Sequence, residues 1–246
     1  MRDSVDVLGV GVHPLTWSEL LEEVEGFITS ARPRTIAYAN VHVINTAQKD
    51  RPLRDFLHGT DVCYCDGNGV VLGAKLLGEV LPERMTGADW IWALAERAAQ
   101  QGWRIYWIGG EAGTTAAAAA KLREEHPSLV IASDHGYHAK SGPDNDAVLE
   151  NINAFAPHIV LVGMGTPIQE HWVGQVRDRI QAPVVWCLGA TADFISGNVE
   201  RPGPAWLVEN HEWLSRLIAD PGRLWRRYLL GNTAFLARIA QARLRG

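Results

Sequence analysis

Residues 158–172, HIVLVGMGTPIQEHW, decide the fold. The run from Ile159 to Val162 is apolar without alternation, as expected of a strand covered on both faces. It stops at Gly163 and Gly165. Thr166 suits a helix N-cap and Pro167 a first helical turn, and an amphipathic pattern runs on to Ile180. The unit is a buried strand, a glycine turn and a helix.

The same unit recurs along the chain. Strands are predicted at 5–10 (VDVLGV), 35–40 (TIAYAN), 61–66 (DVCYCD), 104–109 (RIYWIG), 129–134 (LVIASD), 158–165 and 184–190 (VVWCLGA). Helical patterns fill 16–31, 87–101, 114–126, 144–155 and 167–180. Strands apolar on both faces and separated by helices predict an α/β protein with a mostly parallel sheet and helices on both faces. After Gly197 only helical patterns remain. The expected organisation is an α/β body over 1–200 and a helical appendage over 201–246.

Ligands of open α/β sheets bind beyond the carboxyl ends of the strands. Five polar or glycine sets lie there: Asn40, Asp66, Gly109–Gly110, Gly163 to Gln169, and Gly189 to Asp193. Asp66 in CYCDGNGV (63–70) ends an apolar strand just before a glycine. It reads either as an Asx-turn or N-cap for the following helix, or as a general base with Gly67 and Gly69 leaving room for a substrate. IGGEAGTT (108–115) is a glycine turn before a helix N-terminus, suited to a phosphate or simply to a tight turn. Helix-start chemistry explains Thr166, Pro167 and Glu170 but leaves Gln169 without a reason.

Composition excludes several classes. Hydrophobic residues make up 47% and charged residues 21% of 246, as in a soluble globular protein. The first fifteen residues carry acids where a secretion signal needs bases, and no run reaches membrane-span length, so a cytoplasmic chain is expected. Cys63, Cys65 and Cys187 lie in apolar runs without metal-type spacing and are expected to be buried thiols. His42, His135, His138 and His171 are scattered, so no metal site is expected. LGVGVHP (8–14) fails the dinucleotide fingerprint, and no G-x-S-x-G elbow is present. The net charge is −5, yet residues 216–246 hold seven arginines and one acid, leaving −11 on the first 215 residues. An acidic body argues against nucleic acid, and a basic tail argues for an anionic partner.

Taken in order, AN (39–40), CDGNGV, ERMTGADW (83–90), IGG (108–110), GMGTPIQEHW, LGATADFISGNVERPGPAW (188–206) and HEWLSRLIADPGRLWRRYL (211–229) resemble the WecG/TagA/CpsF family of bacterial glycosyltransferases over nearly the whole chain. The resemblance implies a Rossmann-like variant fold with a C-terminal appendage. It implies inverting, metal-independent transfer from a UDP-sugar to a polyprenyl-diphosphate-linked glycan in cell-surface polysaccharide synthesis. Donor sugars of that kind include N-acetylmannosamine, its uronic acid and glucuronic acid. The catalytic base falls on Asp66. Binding roles fall on Asn40, Arg84 and Gln169, and appendage roles on Arg216, Arg223 and Arg226. Gly109, Gly110 and Asp193 join the binding candidates by position. The chain departs from the resemblance at Tyr38, where many members have Thr, and at ADF (192–194), where relatives often read FDF. Both lie near the expected pocket and leave the donor and acceptor sugars open.

Within the tail, Arg216, Arg223, Arg226 and Arg227 are interleaved with Leu, Trp and Tyr. A basic amphipathic helix of this kind suits an anionic lipid interface, placing the chain peripherally on the cytoplasmic face of the plasma membrane. The competing reading is a helix packed on the acidic body. A rival function is a non-catalytic nucleotide-sugar sensor or scaffold. Oligomeric state is left open, a homo-oligomer included.

Overall fold

The computed structural model describes residues 3–199, 222 and 225–245, with the side chains of Arg226 and Arg227 outside the description. Chain order is β1 (Val5–Asp6), β2 (Gly11–Val12), α1 (Trp17–Ser30), β3 (Arg34–Ala39), α2 (Val41–Ala47), α3 (Arg51–Gly59), β4 (Val62–Cys65), α4 (Asn68–Leu77) and α5 (Gly87–Gln101). It continues with β5 (Arg104–Gly109), α6 (Thr114–Glu125), β6 (Val130–Asp134), α7 (Pro143–Phe155), β7 (Ile159–Gly163), α8 (Ile168–Val176), a 3-10 turn (Arg177–Arg179), β8 (Val184–Cys187) and α9 (Thr191–Ser196). A π-helical turn (Arg226–Leu230) leads into the last helix, α10 (Gly231–Arg245).

Six strands form one parallel sheet in the order β4-β3-β8-β7-β5-β6. Two apolar clusters show that helices cover both faces. Ile105, Trp107, Ile159, Leu161, Val184 and Trp186 face one cluster, and the alternate residues Tyr106, Ile108, Val160, Val162, Val185 and Cys187 face the other. The period of two is the pleat itself. On the first face Trp90 stacks on Trp186 at 4.4 Å, with Trp17 and Tyr64 packed around them. Burying one Trp of this kind removes ~200 Å² from water, about 5 kcal/mol. The three cysteines are buried thiols, and burial pushes Cys63 up to about 12.

The first expected strand, 5–10, is not part of this sheet. Asp6 Oδ1 accepts the Gly9 N–H, and Leu8 and Gly9 adopt positive φ, so the chain reverses into the two-residue strands β1 and β2. This hairpin caps the sheet edge. The His13 N–H donates to the Cys63 carbonyl at 2.7 Å, and the Cys63 N–H donates to His13 Nδ1 at 3.0 Å. The same device recurs at the start of β7, where the His158 N–H donates to the Arg104 carbonyl and Nδ1 accepts the Arg104 N–H.

The expected division at residue 200 lies outside the described residues. The helix at the far end is seated on the body: Phe235 and Ile239 of α10 belong to the first core cluster. They pack where α4 carries Gly73, whose added Cβ would meet the Phe235 ring at 2.6 Å.

Candidate active site

The parallel register of β3 and β4 builds the centre of the site. Ala39 lies opposite Cys65, so the next residues, Asn40 and Asp66, emerge side by side at the carboxyl edge. Asn40 is the N-cap of α2, its Oδ1 accepting the Val43 N–H at 3.0 Å. That bond fixes the amide's orientation, so Nδ2 faces Asp66 and donates to Oδ2 at 3.1 Å. The N-cap position of α4 is Gly67, with no side-chain cap. Gly67 takes φ of +119°, open to glycine, and Gly69 leaves its side-chain space to Val41.

Arg84 stands beside this pair. The Met85 N–H donates to the Cys65 carbonyl at 2.7 Å, tying the 83–90 segment to the tip of β4. The Arg84 side chain is 18% exposed and lies 3.7 Å from Asp89.

A row of glycines forms the floor. A Cβ on Gly109 would sit 2.3 Å from the Gly163 carbonyl oxygen, and one on Gly163 2.6 Å from that of Gly189. One on Gly189 would meet the Tyr38 hydroxyl at 2.7 Å. The strand ends thus approach backbone to backbone. The Gly110 N–H is donated to the Gly163 carbonyl at 3.0 Å, so this turn's first role is close packing of β5 on β7.

Gln169, which helix-start chemistry left without a reason, is completely buried. Its Nε2 donates to Glu170 Oε1 at 2.8 Å and to the Tyr38 hydroxyl at 3.4 Å, and its Oε1 accepts the Gly189 N–H at 3.1 Å. It ties β3, α8 and the β8–α9 turn together under the floor. Pro167 occupies the N-cap position of α8, and Thr166, instead of capping, donates its hydroxyl to Glu170 Oε1 at 2.8 Å. Glu170, read from sequence as helix-start chemistry, is buried in this network. Burial pushes its carboxyl up, against the two hydrogen bonds on Oε1. Its Oε2 has no hydrogen-bond partner among the described residues. Tyr38, noted only as a departure, proves central: its hydroxyl also lies 3.3 Å from Thr166 Oγ1.

Asp193 lies in the first turn of α9, where its carbonyl accepts the Val199 N–H and its side chain is half-buried. Arg216 and Arg223 lie outside the described residues. Arg226 and Arg227 fall in the π-helical turn, with only their backbone described. Among the described residues no group of three or more His, Cys, Asp or Glu comes together to hold a metal.

Comparisons with known proteins bear on this arrangement. The model of the glycosyl transferase WecG/TagA/CpsF family matches residues 5–246. The chain is 32% identical to an N-acetylglucosaminyldiphosphoundecaprenol N-acetyl-beta-D-mannosaminyltransferase of Bacillus spizizenii, over 79% of this chain and 74% of that protein. It is 25% identical to a Staphylococcus aureus protein of the same description, over 97% of this chain and 93% of that one. An α/β body with a carboxylate at a strand tip and a family match over nearly the full length lead to one conclusion: this chain belongs to the WecG/TagA/CpsF family and is a glycosyltransferase.

Proposed function

We propose that the enzyme transfers a sugar, with inversion, from a UDP-sugar to a polyprenyl-diphosphate-linked glycan, and that Asp66 is the base. The Asn40–Asp66 pair carries this reading. A carboxylate held by a neighbouring amide at a strand tip is aimed before substrate arrives. It takes the acceptor hydroxyl proton as that oxygen attacks the anomeric carbon, and the bond to the UDP oxygen breaks on the opposite face. Arg84 supplies positive charge near the departing diphosphate, with appendage arginines as further candidates, and no metal is required. The activity named for the relatives makes UDP-N-acetylmannosamine the first donor to test and an N-acetylglucosaminyl diphosphate lipid the first acceptor.

The enzyme works as a peripheral protein on an anionic membrane. Among the described residues no helix is long and apolar enough to cross a bilayer. Trp225, Leu229, Leu230, Leu236 and Leu244 are exposed, and Arg243 and Arg245 lie in the last turn of α10. Aromatic and leucine side chains beside arginine fit the interface between headgroups and acyl chains.

The test is UDP release from a panel of UDP-sugars with a short-chain diphosphate acceptor, run with and without EDTA. Asp66→Asn should keep donor binding and lower kcat by about 100-fold or more. Near-normal kcat in that variant would remove Asp66 from the role. Donor binding without turnover on every acceptor would favour a sensor, and loss of turnover in EDTA would restore a metal.

A further inference from the structure

The Asn40–Asp66 bond spans two helices. Asn40 opens α2, and Asp66 is separated from α4 by Gly67 alone. Whatever fixes α2 against α4 therefore fixes the approach of the amide to the carboxylate. The inner faces of both helices are held by the body, through Val43, Ile44 and Ala47 on one and Val70 and Ala74 on the other. A third element joins them from outside.

That element is α10. On α4 it occupies the space of a missing side chain: Gly73 has no Cβ, and the Phe235 ring fills its place, with Ile239 one turn further along at 3.3 Å from the same point. On α2 it engages both polar groups of Asn45. Asn45 Nδ2 donates to the Gly231 carbonyl at 2.8 Å, and Asn45 Oδ1 accepts from the Arg238 guanidinium. One face of α10 thus grips α4 by shape and α2 by hydrogen bonds. The contact lies within two turns of Asn40 on α2 and of Asp66 on α4.

We infer that α10 is a positioning element for the Asn40–Asp66 pair, with Phe235 the wedge that sets α4 against α2. This rests on the reading of Asp66 as the base and gives the C-terminal helix a part in the same site, one that needs no contact with substrate. Because α10 lies 165 or more residues beyond Asp66 in sequence, the coupling is visible only in the folded chain.

Phe235→Ala in the full-length chain leaves a void beside Gly73, and α4 shifts relative to α2. A misplacement of this kind lowers kcat per folded molecule roughly 10- to 100-fold, while donor KM stays within about twofold. Phe235→Leu refills most of the space and recovers most of the rate. The decisive comparison is a double-variant cycle. With Asn40→Ser already present, the pair is broken, and adding Phe235→Ala lowers kcat by less than about twofold. Equal loss in both backgrounds would overturn the inference. Leu149→Ala, in the other core cluster, serves as a destabilised control whose kcat per folded molecule is unchanged.

Hydrogen exchange provides a readout that needs no substrate. Phe235→Ala should speed exchange over 41–47 and 66–77 beyond what Leu149→Ala does. Equal exchange in the two variants would also overturn the coupling. If the wild type transfers no sugar from any donor, the proposed reaction falls, and the exchange comparison alone then decides whether α10 sets the pair.

Discussion

Asn40 performs two tasks with one amide, and substitution can separate them. Asn40→Ser retains an oxygen that can cap α2 but loses the Nδ2 donor to Asp66. Capping by Ser is close to that by Asn, so stability should change by less than about 0.5 kcal/mol. The lost bond is charge-assisted, and such bonds are worth about 1.5–3 kcal/mol. If that energy aims the carboxylate in the transition state, kcat should fall between ~10- and ~150-fold. Asn40→Asp is the sharper case. It retains the capping oxygen but sets a second carboxylate where the amide stood, 3.1 Å from Asp66 Oδ2. Two full charges at that separation repel by roughly 5 kcal/mol at an effective dielectric of 20. The pair then holds a proton near neutrality, and the acidic limb of the kcat/KM profile moves to higher pH. Chemical denaturation reads the cap, and a pH–rate series on the short acceptor reads the donor bond. Wild-type kcat in Asn40→Ser, with an unmoved acidic limb in Asn40→Asp, would refute the account of this pair.

Gly109→Ala should unfold the chain or lower its midpoint by many degrees in a thermal melt, because its Cβ would lie 2.3 Å from the Gly163 carbonyl oxygen, and backbone cannot yield there. Gln169→Leu should cost about 1–3 kcal/mol in urea denaturation by orphaning the Gly189 N–H, and it should lower turnover through displaced neighbours while leaving donor contacts themselves intact. His13 and His158 are held below the ordinary 6.5, mainly by burial, and both accept a backbone N–H on Nδ1. Protons bind the unfolded chain first as pH falls through about 6.5, so stability should be full above that point and decline below it, with His158→Gln flattening the slope. Removing residues from 211 onward should expose Gly73 and Asn45. It should therefore lower the melting temperature as well as vesicle binding; an unchanged melt would detach α10 from the core.

Much of the architecture was legible because the strands are apolar on both faces and the glycines punctuate them. Residues 87–101 read as a helix in sequence and form one to the residue. The site was legible in part for the same reason: a lone Asn and a lone Asp after apolar runs stand out at strand ends. Their pairing was not, since it depends on β3 and β4 being neighbours in a register that sets Ala39 opposite Cys65. Gln169 was recognisable as unexplained by capping. Its burial follows from Gly189 and Tyr38, respectively 20 and 131 residues away. The VDVLGV run misled because its turn residues, Asp6 and Gly9, act within the apolar pattern. Phe235 and Ile239 formed a visible apolar pair at helical spacing, but such a face suits lipid or protein equally, and only Gly73 distinguishes them.

Two different kinds of order meet at the carboxyl edge. Between β5 and β3 the floor is fixed by exclusion: Gly109, Gly163 and Gly189 each sit against a neighbour's oxygen at a distance that admits no side chain. Beneath it, Gln169 bonds to Glu170, Tyr38 and the Gly189 N–H, and Glu170 Oε1 accepts from both Gln169 and Thr166, which makes the floor costly to deform. Between β3 and β4 the order is of another kind. Asn40 and Asp66 lie at the ends of short strands, each followed by a helix, and one hydrogen bond aligns them. A rigid floor can hold a donor in one pose, because dipoles already in place need no rearrangement as charge develops on the leaving group. Under the proposed role of Asp66 as the base, that one bond aims the carboxylate before an acceptor arrives, and α10, gripping α4 at Gly73 and α2 at Asn45, is what holds the two residues in reach of each other.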